Sequence, residues 1–182
     1  MNRFCQITII AGIVMLSNSC GKPEQKELWW TYLANYDNQP GSIVVNLELK
    51  ERVPIADFAQ LIVTGVSYTS SSASGLPDGK ELDFLNALDE KRLKIVAQLT
   101  PSILAGIFTH NGEHLDYIYV RNAVGVEDAL KKFYQDNYPD RKPYINLKQD
   151  PKWETYSEFL FPNEQTIEFY RQDLIKIGYL KR

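Results

Sequence analysis

The chain predicts an α+β fold, a largely antiparallel sheet with helices packed mainly on one face. Three observations predict it. Segments of two-residue alternation recur along the chain, two segments of helical period stand among them, and Gly, Pro and Asn-Gly signals separate the segments at short spacing.

The first twenty residues form a separate unit. Arg3 precedes an apolar run from Ile7 to Leu16, too short for a permanent span and laid out like an export leader. The run stops at Leu16-Ser17-Asn18-Ser19-Cys20, followed by Gly21. This resembles the lipobox of bacterial lipoproteins, with the leucine one place further from the cysteine than usual. The resemblance implies a signal peptide over residues 1–19 and a diacylglycerol on the sulfur of Cys20. Anchored so, the protein is expected in the cell envelope, held to a bacterial membrane, the outer one, by its lipid. Cys5 lies inside the leader, so a processed chain keeps one cysteine and no disulfide. Residues 20–27 read as a polar tether, and residues 28–182 as a single domain.

Strand alternation begins at once: Leu28, Trp30, Tyr32, Ala34 and Tyr36 alternate with Trp29, Thr31, Leu33 and Asn35. Turn residues from Asp37 to Gly41 lead to a second strand, Ser42 to Leu49, and the two should form a hairpin. Phe58 to Tyr68 is a third strand with Gly65 as a bulge candidate, and Thr69 to Ser74 a small-residue loop expected to be mobile. Asp78, with Glu81 at capping-box spacing, starts a helix that runs to about Gln98. Leu85, Leu88, Arg92, Ile95 and Leu99 fall near its stripe, whereas Asp89, Glu90, Lys91 and Lys94 fall largely outside it.

Asn111-Gly112 then joins Ile103–His110 to Glu113–Arg121 as a hairpin. Its register sets His110 opposite Glu113, Phe108 opposite Leu115, Gly106 opposite Tyr117 and Leu104 opposite Tyr119. Both faces are apolar, which suits an inner position in the sheet. A helix from Val126 to Tyr138 and a strand from Tyr144 to Lys148 follow. From Phe58 onward the order is βαββαβ, the ferredoxin-like split βαβ arrangement, with an extra N-terminal hairpin and a C-terminal helix from Glu164 to Ile177.

Composition excludes more than it assigns. Net charge is −3, with Asp and Glu 23 against Lys and Arg 20, so no nucleic-acid partner is expected from electrostatics. Walker and dinucleotide glycine patterns are missing from the sequence, and no cofactor is expected. His110 and His114 lie near Glu113 and Asp116, but strand alternation puts the two histidines on opposite faces, so no metal is expected and the pair reads as a solvated hairpin tip. Ser70 to Ser72 and Ser74 lack a nucleophile elbow, and Asp83, Asp89, Glu127 and Asp128 read as solvated helix residues, which leaves no assigned catalytic residue. Trp29, Trp30, Tyr32, Trp153 and Tyr156, with Tyr36, form a candidate binding surface for a glycan or protein; the competing and favoured reading has Trp30 and Trp153 filling the core where the first hairpin meets the tail.

Asp150-Pro151-Lys152-Trp153, Tyr156, Phe159-Leu160-Phe161-Pro162, Gly75-Leu76-Pro77 and Trp30 resemble the domain of unknown function family six-nine-five over roughly Leu28 to Leu180. The resemblance implies uncharacterised bacterial relatives, some joined to a second domain similar to a ribonuclease E inhibitor, an extension that would continue from the last helix and is not expected in this chain. It brings no catalytic residue. The expected function is a lipid-anchored, non-enzymatic binding module for an envelope protein or glycan. A hydrolase built from carboxylates far apart in sequence, and a regulator of an RNA-processing enzyme by analogy with those relatives, are the alternatives.

Overall fold

A computed structural model describes residues 27–181. The expected leader, Cys20 and all but the last residue of the tether lie outside the described residues. β1 (Trp29–Tyr36) and β2 (Gln39–Asn46) form the first hairpin. Its turn is only Asp37 and Asn38, at φ 48° and 63°, because short polar side chains tolerate the left-handed region that a two-residue connection needs. Strand β2 also stops before Leu49. The Asn46 side chain accepts the Glu48 amide at 3.1 Å and diverts the backbone into a 3-10 turn, Leu47–Glu51, that still buries Leu47 and Leu49.

β3 (Gln60–Ser67), α1 (Gly79–Leu99), β4 (Ser102–His110), β5 (Glu113–Val120), α2 (Val126–Asn137) and β6 (Pro143–Gln149) follow in the expected order. Asp78 caps α1 by accepting the Glu81 amide at 3.0 Å. The Glu81 carboxylate turns instead to Arg141, at 2.5 Å. Two inward positions differ from the expected stripe: Asp89 is buried, while Leu99 is half exposed and Val96 takes the inner place.

The six strands make one antiparallel sheet in the order β1-β2-β4-β5-β3-β6. The β4–β5 register matches expectation from His110 to Gly106, then shifts between Leu104 and Gly106, so Leu104 meets Ile118 rather than Tyr119. This bulge turns Ile103 and Ala105 toward the face that holds Tyr119, and Leu104 toward the face that holds Ile118. Gly65, the expected bulge, sits in unbroken register opposite Leu115. Its role is close approach: a Cβ there would stand 1.8 Å from the His114 carbonyl oxygen. Gly65→Ala should therefore force β3 off β5 and cost roughly 3 kcal/mol or more, read as a lowered urea midpoint.

Each sheet face carries its own core. Against one pack α1 and α2, with Ile62, Val66, Leu85, Leu88, Val96, Ile118 and Leu130 between them. The other is closed by the tail: a π turn at Thr155–Leu160, then α3 (Glu164–Phe169) and α4 (Arg171–Lys176). The single expected terminal helix is thus two short ones, parted at Tyr170, whose ring stands edge-on to Trp30 at 5.4 Å. Asn163 caps α3, and Gly178 at φ 81° follows α4. Among the described residues no helix is long and apolar enough to cross a membrane.

Candidate functional site

The densest gathering of acid, base and hydroxyl side chains lies between α1, α2 and the sheet. Asp89 and Arg92, one helical turn apart, project from the inward stripe of α1. His114 and Asp116, two apart in β5, share a face by strand alternation. Thr109 of β4 is the register partner of His114, and Thr64 of β3 that of Asp116. Tyr134 arrives from α2.

The Arg92 guanidinium holds this group together. Its Nε donates to Asp116 Oδ2 at 2.9 Å, and one Nη reaches the same oxygen at 2.7 Å while also bonding Asp89. The other Nη lies 3.4 Å from the Tyr134 hydroxyl, which is 2.9 Å from Thr64 Oγ1. His114 spans the rest, with Nε2 2.9 Å from Asp89 and Nδ1 2.7 Å from Thr109 Oγ1. Burial works against the Arg92 charge, but Asp116 and Asp89 overcome it and hold the guanidinium protonated. Burial dominates at Asp116 and, with Arg92 opposing it, pushes the carboxyl up to about 7. Its Oδ1 has no hydrogen-bond partner among the described residues.

That shift fixes a pH dependence. The native state keeps a proton that the unfolded chain releases near 3.8, so the Asp116 contribution to stability is complete below that pH and drains away as pH rises to about 7. The expected slope approaches about 1.4 kcal/mol per pH unit between these limits. Urea midpoints from about pH 4 to 8 should show it in the parent protein and lose it in Asp116→Asn, which keeps an acceptor for Arg92 and has nothing to titrate.

A perturbed acid beside a histidine is the kind of group on which active sites are built. Here every member is closed in, from 0% exposure at Arg92 and Asp116 to 6% at Thr109. Asp89, His114 and Asp116 each offer one ligand atom within 4.8 Å of the others, a donor set with the chemistry to take a divalent metal. The guanidinium, bonded to both carboxylates, already supplies the positive charge at that place. A dication added there would face a cation fixed by the core, so the residues do not fit a metal.

These facts correct two expectations. His114 is no solvated tip and Asp89 no solvated helix residue; Arg92, by lying on the apolar stripe, draws both inward. His110 and His114 do take opposite faces: His110 stacks on Phe108 at 5.6 Å, and its Nδ1 lies 3.3 Å from the Pro40 carbonyl.

The aromatic surface is also corrected. Trp30, Tyr32, Trp153 and Tyr156 are buried, and Trp29 is half-buried with its Nε1 donating to Glu27. The four buried rings fill the core where the first hairpin meets the tail, whereas Trp29 packs on the helix-covered face. Trp30 stacks on Tyr32 at 5.1 Å, and Trp153 lies flat on Tyr119 at 3.6 Å. The Tyr32 hydroxyl donates to the Leu160 carbonyl and that of Tyr156 to the Asn46 carbonyl, each at 2.9 Å. Asp150 accepts the Tyr119 hydroxyl at 2.6 Å and the Glu154 and Thr155 amides. Burial opposes the Asp150 charge, yet these donors hold its carboxyl below the usual range.

The serine loop uses its hydroxyls locally: Ser70 donates to the Leu76 carbonyl at 2.6 Å and accepts the Ser72 amide at 3.0 Å. A depression of about 220 Å³ near β3 and β6 is lined by Gln60, Ala123, Leu147, Lys148 and Gln149, with neither a carboxylate nor a histidine in its wall.

Asp150, Trp153 and Tyr156 thus act as a clamp between tail and sheet. No curated protein and no solved structure matches the chain. The family model described as "Family of unknown function (DUF695)" matches residues 27–161, from the start of the first hairpin through this clamp, and the chain belongs to that family.

Proposed function

We propose that this chain is a lipid-tethered protein of the bacterial cell envelope whose α+β body binds another protein instead of turning over a substrate. The observation that carries the binding half is the committed state of its chemistry: Asp89, Arg92, His114 and Asp116 are bonded into one group inside the core, out of reach of a substrate. The tether half rests on the apolar run Ile7–Leu16 and on Cys20 as the one cysteine beyond it. A glycan platform loses most of its support, since Trp30, Tyr32, Trp153 and Tyr156 are core residues.

We also read the last four strands in chain order, β3 to β6, as the split βαβ arrangement. The order β4-β5-β3-β6, with α1 between β3 and β4 and α2 between β5 and β6, supports that topology.

The test is mass spectrometry and fractionation of the protein made in a bacterium. Acyl mass on Cys20 and recovery with membranes, both lost in Cys20→Ala, are expected. A cytosolic product that keeps Met1 and carries no lipid overturns the tether, and turnover of a substrate by the purified protein overturns the binding half.

A further inference from the structure

Strand β1 is one edge of the sheet, and its outer side is readable from its inner one. The Leu47 amide donates to the Leu28 carbonyl at 2.8 Å. In an antiparallel pair, hydrogen bonding to the neighbour then recurs at every second residue, which turns the backbone groups of Trp29, Thr31, Leu33 and Asn35 outward. The Leu33 carbonyl is one of these groups, and the Tyr170 hydroxyl lies 3.5 Å from it, a long exposed contact that strand pairing would displace.

An open edge is ordinarily guarded by charge, proline or a bulge. The far edge, β6, has Pro143 at its start and Lys148 near its end. β1 has no such guard. From Trp29 to Tyr36 it carries no charged residue and no proline, and its register with β2 is unbroken. Apolar side chains rim it on both sides: Leu33 is 50% exposed, and Phe169, against Tyr170, is 80% exposed.

We infer that this edge pairs with β1 of a second copy of the chain, merging two six-stranded sheets into one. Charge selects the occupant. A strand bearing charges would set them against an eight-residue partner with none to answer them, whereas β1 against β1 places no charge opposite another. Three other strands are free of charged residues, β2, β3 and β4, and each is flanked by neighbours inside the sheet. Antiparallel self-pairing is also a closed twofold arrangement, so it stops at a dimer. Matching all four outward residues sets Thr31 opposite Leu33 and Trp29 opposite Asn35 of the second copy, with the two Leu33 side chains diagonal to one another across the axis. The inference is independent of the tether.

Sedimentation equilibrium of the full chain in density-matched non-ionic detergent tests it, with hydrogen exchange on the same samples. The expected result is twice the chain mass, with the Thr31, Leu33 and Asn35 amides increasingly protected as concentration rises. Leu33→Lys and Leu33→Glu should each abolish the dimer, and an equimolar mixture of the two should restore it. Thr31→Pro removes an outward amide without touching the β2 ladder and should give a folded monomer. A monomer at the highest soluble concentration overturns the proposal. So does a dimer that survives Leu33→Lys and Thr31→Pro, or one in which those three amides exchange freely. None of these outcomes bears on acylation of Cys20.

Discussion

Arg92→Leu should lower stability by about 3–5 kcal/mol, the usual consequence of removing one partner of a buried ionic group. The magnitude follows from what remains. Asp116 is fully buried and Asp89 nearly so, and both take hydrogen bonds from this one guanidinium. In a domain of this size the melting temperature should fall by roughly 6–20 °C. Arg92→Lys should recover only part, because an ammonium lacks the planar fork that meets two carboxylates and the Tyr134 hydroxyl together. The opposite result is expected when the whole group goes: Arg92→Met with Asp116→Leu and Asp89→Asn leaves no net charge behind and keeps an acceptor for His114. That triple variant should melt close to the parent protein or above it. Thermal and urea unfolding of the four proteins checks the series. A mild effect of Arg92→Leu alone would mean that water reaches the cluster.

Trp153→Ala should cost about 3–5 kcal/mol, as expected for a large aromatic removed from a closed site. Trp153 has no exposed surface, lies flat on Tyr119 and stands edge-on to Tyr156. Its loss opens a hole where the tail meets the sheet, and Asp150 and Tyr156 lose their backing. Trp153→Phe should cost much less, since the indole nitrogen makes no hydrogen bond among the described residues. Urea unfolding followed at the tyrosines separates the two variants.

Much of this architecture is legible in residue order because local signals agree with burial. Asp78 caps α1, Asn111-Gly112 closes the central hairpin and Asn163 caps α3, each through side-chain or backbone geometry that acts over a few residues. The departures come from contacts between distant segments. No local signal marks the bulge at Leu104–Gly106, which answers how two strands fit their neighbours. Tyr170 divides the last helix because its ring is anchored on Trp30. The ionic cluster was half legible: Arg92 on an apolar stripe demands a buried counter-charge, and alternation already set His114 and Asp116 on the face of Ile118. What alternation along one strand cannot supply is which helix covers that face, and that pairing is what turns Asp89 inward.

The tail's position has a consequence for how the molecule comes into being. Tyr32 is tied to Leu160, 128 positions later, and Asn46 to Tyr156, 110 positions later. A chain that emerges from its amino end cannot shut that half of its interior until nearly all of it has been made. Throughout elongation the hairpin's tryptophan and tyrosine rings stand open to solvent and to any chaperone present. The helix-covered half, assembled from nearer neighbours, is free to consolidate first, and truncation before Trp153 should leave a species that helpers bind instead of a smaller native protein.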